Sequence, residues 1–147
     1  MSHSVRTRAR SLGVLGLVLS IGLLLSACEP SAEDTNVQSV NAVRSAVGAA
    51  PLARSAELDA KAVVQAQAMA AKGTIFHSAD LASGVSPGWR GIGENVAVAG
   101  SAVDAQRALE QSPGHYANMV NGSYTEMGIG IVPSNGKVFV VQVFVGR

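Results

Sequence analysis

The chain has 147 residues, eleven basic and ten acidic, for a formal net charge of +1. This balance lacks the basic excess of a nucleic-acid-binding surface. A single cysteine, Cys28, excludes an intramolecular disulfide, and the length suits one domain with a core of its own.

Arg6, Arg8 and Arg10 precede an apolar run of 14 residues from Leu12 to Leu25. That length matches the apolar part of a secretory signal, about 7–15 residues. It falls short of the roughly 20 residues of a membrane-spanning helix. The run ends in Leu25-Ser26-Ala27-Cys28, which resembles the lipobox of bacterial lipoproteins, where cleavage precedes the cysteine and its thiol is lipidated. Residues 1–27 are therefore expected to be a lipoprotein signal peptide, 28–35 the lipidated Cys28 with its tether, and 36–147 a single domain. The resemblance implies an exported protein, anchored through Cys28 on the extracytoplasmic side of a bacterial envelope. Removing 1–27 takes away three basic residues and no acidic ones. Eight basic residues then face ten acidic ones, a net −2, which keeps nucleic acid off the list of partners.

In chain order, Asp34 or Thr35 is expected to cap a helix with Val37, Val40, Val43 or Arg44, and Val47 at helical spacing. Gly48 stops it. A-A-P-L makes a turn, and Ser55 is placed to cap the next helix, residues 56–72. Leu58, Ala62, Ala66 and Met69 share one face of that helix, and its alanines imply close packing against another layer. Gly73 suits the residue after its end. T-I-F-H-S-A-D carries His77, and residues 83–93 form a glycine-rich loop with Trp89, the one tryptophan. E-N-V-A-V-A-G reads as a short strand, and Ser101 caps a further helix. In S-P-G-H-Y-A-N-M-V, Ser112 is a candidate N-cap, Pro113 fits the first helical position and His115 the third. The positive end of the helix dipole there disfavours imidazolium. M-G-I-G-I-V and K-V-F-V-V-Q-V-F-V are strands, joined through Asn135-Gly136 as a hairpin. Helices first and an antiparallel hairpin last predict an α+β layered fold.

Beyond the signal only two histidines occur, His77 and His115, with Glu94 between them. Two imidazoles and a carboxylate can ligate zinc with a position left open, or perform acid–base work. On spacing alone a structural role is the commoner one, because the positions match no short metal motif. Ser78 and Ser112 beside the histidines are read as capping or backbone-bonding residues, since neither lies in a G-x-S-x-G elbow. Asn95 is read as a buried amide that satisfies loop backbone, Asn41 and Arg44 as structural partners between layers, and Trp89 as a loop anchor or a stacking platform.

Six pieces then occur in one order: V-N-A-V-R…P-L, L-D-A-K-A…A-Q-A-M-A, F-H-S, W-R-G-I-G-E-N-V-A-V-A-G, S-P-G-H-Y-A-N-M-V, and Y-T-E-M-G-I-G with V-V-Q-V-F. Together, over about residues 36–145, they resemble the CAP superfamily (cysteine-rich secretory proteins, antigen 5 and pathogenesis-related proteins), in its short bacterial SCP-like branch. The resemblance implies an α-β-α sandwich with a small antiparallel sheet between helical layers. It also implies a cleft shared by His77, Glu94 and His115. Many members add a second acidic residue. Here Glu110 is near in sequence, yet Gln111 and Ser112 stand closer to the expected place. Glu126 is a further candidate for the cleft rim, and Asn118 lies one turn beyond His115. The family's disulfides are absent.

Some members bind divalent metal, and others sterols or fatty acids. The expected function is therefore an envelope binding module whose His77, Glu94 and His115 hold zinc or another divalent metal, or whose cleft takes a small lipid-like or envelope ligand. Two alternatives stand beside it. One is a metal-dependent hydrolase or peptidase with Glu94 or Glu126 as the catalytic base; the other is a surface scaffold with a vestigial cleft.

Overall fold

The computed structural model describes residue 1 and residues 29–147. The signal segment and Cys28 lie outside the described residues. The first helix, α1, spans Ala32–Ala46. It begins earlier than expected because Ser31, not Asp34 or Thr35, is the N-cap. The Ser31 hydroxyl accepts from the Asp34 N–H at 3.1 Å and donates to the Asp34 carboxylate. Asp34 serves as the acidic partner inside the first turn, so α1 begins within the stretch 28–35 expected to be a tether. The buried stripe of α1 is Asn36, Val37, Val40 and Arg44, whereas Val47, just past the end, is 51% exposed. Gly48 follows at φ +74°, the left-handed conformation that ends a helix.

Asn41 holds the chain that follows by both of its amide atoms. Its Oδ1 accepts from the Leu52 N–H, and its Nδ2 donates to the Leu52 carbonyl. Leu52 so held is buried, and the chain runs on as β1, Ala53–Arg54. The next helix, α2, occupies Ala56–Lys72 and ends at Gly73 with φ +67°, as the sequence predicts. Ser55 occupies its N-cap position without a side-chain capping bond. After a loop come β2 (Gly91–Ala99), α3 (Ala102–Gln111), α4 (Pro113–Val120), β3 (Glu126–Ser134) and β4 (Lys137–Gly146). Asn135 and Gly136 both have positive φ at the β3–β4 hairpin, the geometry of a two-residue turn that matches strand twist.

The sheet order is β1-β3-β4-β2. The three long strands are antiparallel, as expected, but β1 runs parallel to β3, so the sheet is mixed. Two residues are too few to show a strand period, which is why β1 escapes a sequence reading. Helix α2 packs on one face of the sheet, and α1, α3 and α4 on the other. Alternation along β4 divides the core. Phe139, Val141, Val143 and Val145 meet Leu58, Ala62, Ala66 and Met69. Val140 and Phe144 join Val37, Val40, Leu109 and Met119 on the opposite face. A Cβ on Gly128 or Gly130 would run into the α2 backbone at Leu58 or Ala62. The two glycines of M-G-I-G-I are therefore notches into which the alanine face of α2 settles, and the predicted close packing is found there.

Candidate functional site

Strand β2 ends the sheet order and carries Glu94 and Asn95 as neighbours. Successive side chains of a strand point to opposite faces. Glu94 shares the α2 face with Val96, and Asn95 shares the other with Ala97. One dipeptide on an edge strand thus serves both layers.

Glu94 is 2% exposed on its side chain, whereas His77 is 60% exposed. The Glu94 carboxylate accepts three hydrogen bonds. His77 Nδ1–H donates to Oε1 at 2.9 Å, the Ser78 N–H donates to Oε1 at 2.9 Å, and the Ser78 hydroxyl donates to Oε2 at 2.5 Å. A carboxylate only accepts, so the proton of His77 lies on Nδ1, and its Nε2 keeps a free lone pair.

His115 enters from the other layer as the third residue of α4, after Pro113 and Gly114. Burial lowers its pKa below the ordinary 6.5, and the nearby His77, resisting a second positive charge, lowers it further. This shift has the direction expected from the helix dipole, toward the neutral form, with burial as its principal cause. Ser112 sits at the cap position, but its hydroxyl makes no capping bond. Its carbonyl instead accepts from the Tyr116 N–H at 2.8 Å.

Asn95 and Asn118 join the layers. Asn95 Nδ2 donates to the His115 carbonyl at 3.1 Å. Asn118 Nδ2 donates to Asn95 Oδ1 at 2.9 Å and to the Glu94 carbonyl at 3.3 Å. Asn95 is a buried amide that satisfies backbone, as read from sequence, but the carbonyl is that of His115 in α4 and not one of a loop. A Cβ on Gly93 would meet the Tyr124 hydroxyl, so a larger residue there would have to displace that ring.

Two other expected members have partners outside the His77–Glu94 pair. Glu126 is paired with Arg147 at 3.3 Å, and Arg147 also holds Glu57 at 2.9 Å. Glu110 accepts from Gln106 Nε2 at 2.7 Å. Among the described residues the Ser78 and Ser112 hydroxyls bond to neither histidine, and no group of three His, Cys, Asp or Glu side chains is arranged to hold a metal ion. Beside Ser78 a surface hollow of about 570 Å³ opens, lined by Ala60, Lys61, Val64 and Asp80 among others.

Sequence reasoning missed Gln142. This side chain is fully buried, and its amide bonds to Asn36, Gln106 and Asn95. The available signal was one polar residue inside V-F-V-V-Q-V-F-V, a run otherwise apolar on both faces.

Residues 37–144 match the cysteine-rich secretory protein (CAP) family. The chain belongs to that family. Among solved structures, an extracellular SCP-domain protein from Bacillus anthracis superposes with a TM-score of 0.66 at 24% identity. The match covers 78% of this chain and 41% of the other, so this chain spans about two fifths of that protein. An outer surface protein from Borrelia burgdorferi gives a TM-score of 0.65 at 17% identity, covering 76% and 89%. NaASP2 with Zn2+ gives 0.56 at 16% identity, covering 80% and 83%. At these identities the likeness is one of fold. Comparison with curated proteins gives no match.

Proposed function

We propose that this CAP domain is an exported envelope binding module, held at the membrane by lipidated Cys28. Its ligand cleft lies between His77 and His115. The observation that carries the reading is the bond from His77 Nδ1–H to the buried Glu94 carboxylate. A carboxylate behind an imidazole fixes the tautomer and raises the basicity of the outer nitrogen, the usual support behind a metal-binding histidine. His115 supplies a second imidazole biased toward its neutral form. The donor set therefore fits a divalent cation such as zinc at His77 and His115. Glu94 moves from candidate ligand to the group that orients His77, since three donors already occupy its oxygens.

Two imidazoles leave most of a tetrahedral shell to other donors. A cation there would supply a positive centre for an anionic group of a small lipid-like or envelope ligand, with the hollow beside Ser78 as space for its body. NaASP2, of the same fold, has been crystallised with Zn2+. Export agrees with the extracellular and outer-surface neighbours. Among the described residues no helix is long and apolar enough to cross a membrane; the assignment of attachment to Cys28 rests on Leu25-Ser26-Ala27-Cys28. Of the two candidate bases of the hydrolase reading, Glu94 is engaged by His77 and Ser78, and Glu126 by Arg147.

Zinc calorimetry on the metal-stripped processed protein tests the cleft. Near-stoichiometric binding, lost in folded His77→Ala and in His115→Ala, is the expected result; intact protein that binds no zinc removes the metal from the reading. Fractionation tests the anchor, and Cys28→Ser is expected to leave the membrane fraction. Cys28→Ser protein retained there would end the lipid-anchor assignment.

A further inference from the structure

We propose that Gln142, which touches neither histidine, is a positioning residue for His115, acting through a buried string of amides. The string has one polarity. Asn118 Nδ2 donates to Asn95 Oδ1 at 2.9 Å. Asn95 Nδ2 donates to Gln142 Oε1 at 3.0 Å. Gln142 Nε2 donates to Gln106 Oε1 at 2.7 Å and to Asn36 Oδ1 at 2.8 Å. Gln106 Nε2 donates to the Glu110 carboxylate at 2.7 Å. Every link runs donor to acceptor in the same direction, and the branch through Gln106 ends on a carboxylate, which only accepts.

That arrangement determines what Asn95 can do. With Gln142 Oε1 and Asn118 Nδ2 on its two sides, the Asn95 amide has one satisfactory orientation, and in it Nδ2 faces the His115 carbonyl. Turning the Gln142 amide over would set its NH2 against that of Asn95 and its oxygen against the oxygens of Asn36 and Gln106. In a buried site each such clash leaves polar atoms unpaired, so the amides turn together or not at all. Gln142 thereby ties α1 through Asn36, α3 through Gln106, and β2 and α4 through Asn95. It fixes the helix carrying His115 against the strand carrying Glu94. Glu110, which the sequence offers as a second cleft acid, is the terminal acceptor that sets the direction.

The inference rests on the reading of His115 as a cleft ligand, and its test separates the two. The processed protein is prepared in detergent as wild type, Gln142→Met and Val140→Ala. Val140 lies on the same strand and face as Gln142 but carries no hydrogen bond from its side chain. The carbonyl carbon resonance of His115 is read in the metal-free protein, and zinc affinity by calorimetry. Gln142→Met is expected to shift the His115 carbonyl resonance and to weaken zinc about 10-fold, as loss of a supporting partner does elsewhere. Val140→Ala is expected to lower Tm while leaving both readouts in place. An unmoved His115 resonance in folded Gln142→Met overturns the proposal, as does an equal shift in Val140→Ala. Wild type that binds no zinc would defeat the metal reading alone, since the resonance still decides the positioning. Should Gln142→Met fail to fold, Gln106→Met, which takes the Oε1 acceptor from Gln142 Nε2, must shift the same resonance or the proposal falls.

Discussion

The two faces of the sheet are held by different physics. Under α2 the contact is dry and shape-driven: alanines on the helix, glycine notches on β3 and valines on β4. Under α1, α3 and α4 an apolar cluster surrounds Asn36, Asn95, Gln106 and Gln142, all buried, and a buried cation. That cation is Arg44, 1% exposed. Its guanidinium donates to the carbonyls of Ala50, Met119 and Asn121, with a longer bond to that of Tyr124. Burial lowers its pKa. Among the described residues it has no carboxylate partner. Close packing demands volume, whereas hydrogen-bonded packing demands donors and acceptors in fixed directions. Of the candidate cleft residues, His115 and Asn118 ride on that face, whereas Glu94 holds His77 on the side of α2.

The largest break should come on the dry face. Gly130→Val would push a branched side chain into the Ala62 backbone. Ordinary overpacking costs about 1–3 kcal/mol because side chains can yield. Backbone cannot, so the cooperative thermal transition is expected to disappear. On the other face, Arg44→Met keeps the length and removes the donors. It should cost about 3 kcal/mol, the scale of lost hydrogen bonds from a charged group to several buried carbonyls. A denaturant midpoint within experimental error of wild type would show that those carbonyls find other partners. A paired measurement sharpens the contrast. Met69→Leu under α2 conserves volume and should cost less than about 1.5 kcal/mol. Asn36→Leu also fills its space, yet takes an acceptor from Gln142 and should cost about 1–3 kcal/mol. If the two cost the same, the distinction between the faces fails.

The dry face was also the more legible one. Periodicity placed α2 with its bounds and its buried Leu58, Ala62, Ala66 and Met69, because volume and hydrophobicity are local properties of residues. The hairpin followed from Asn135-Gly136 for the same reason. The polar face and the candidate site were read in part: residue types picked out Arg44 and Asn95, and the family likeness gave weight to one cleft. That likeness named His77, Glu94 and His115, but spacing could not show that Glu94 turns toward His77 while Asn95 turns toward His115. Nor could it show that Glu126 is claimed by Arg147, nor that one glutamine in a valine-rich strand joins three helices. Those facts depend on direction across long separations in the chain, and a hydrogen bond's direction leaves no period behind. The parallel β1 and the Ser31 cap were missed for a simpler reason, since each rests on one or two residues.

The smallest effect concerns the cleft itself and is a dependence on pH. The folded state holds the pKa of His115 below 6.5 by burial and by the proximity of His77, while the unfolded chain has the ordinary value. Above 6.5 neither state binds this proton, and the neutral imidazole costs nothing. As pH falls from 6.5 toward the folded pKa, the unfolded chain takes up the proton and the folded protein resists it, so stability declines across that window. Below the folded pKa both states are protonated and His115 adds no further slope. His115→Gln keeps a polar side chain without the titration. Its urea midpoint between pH 7 and pH 5 should therefore fall less steeply than that of wild type, while both share the slopes set by the carboxylates. Equal slopes would mean that His115 is as accessible to protons in the fold as in the unfolded chain. The cleft would then lack the partial burial that keeps an imidazole neutral and ready to accept a ligand.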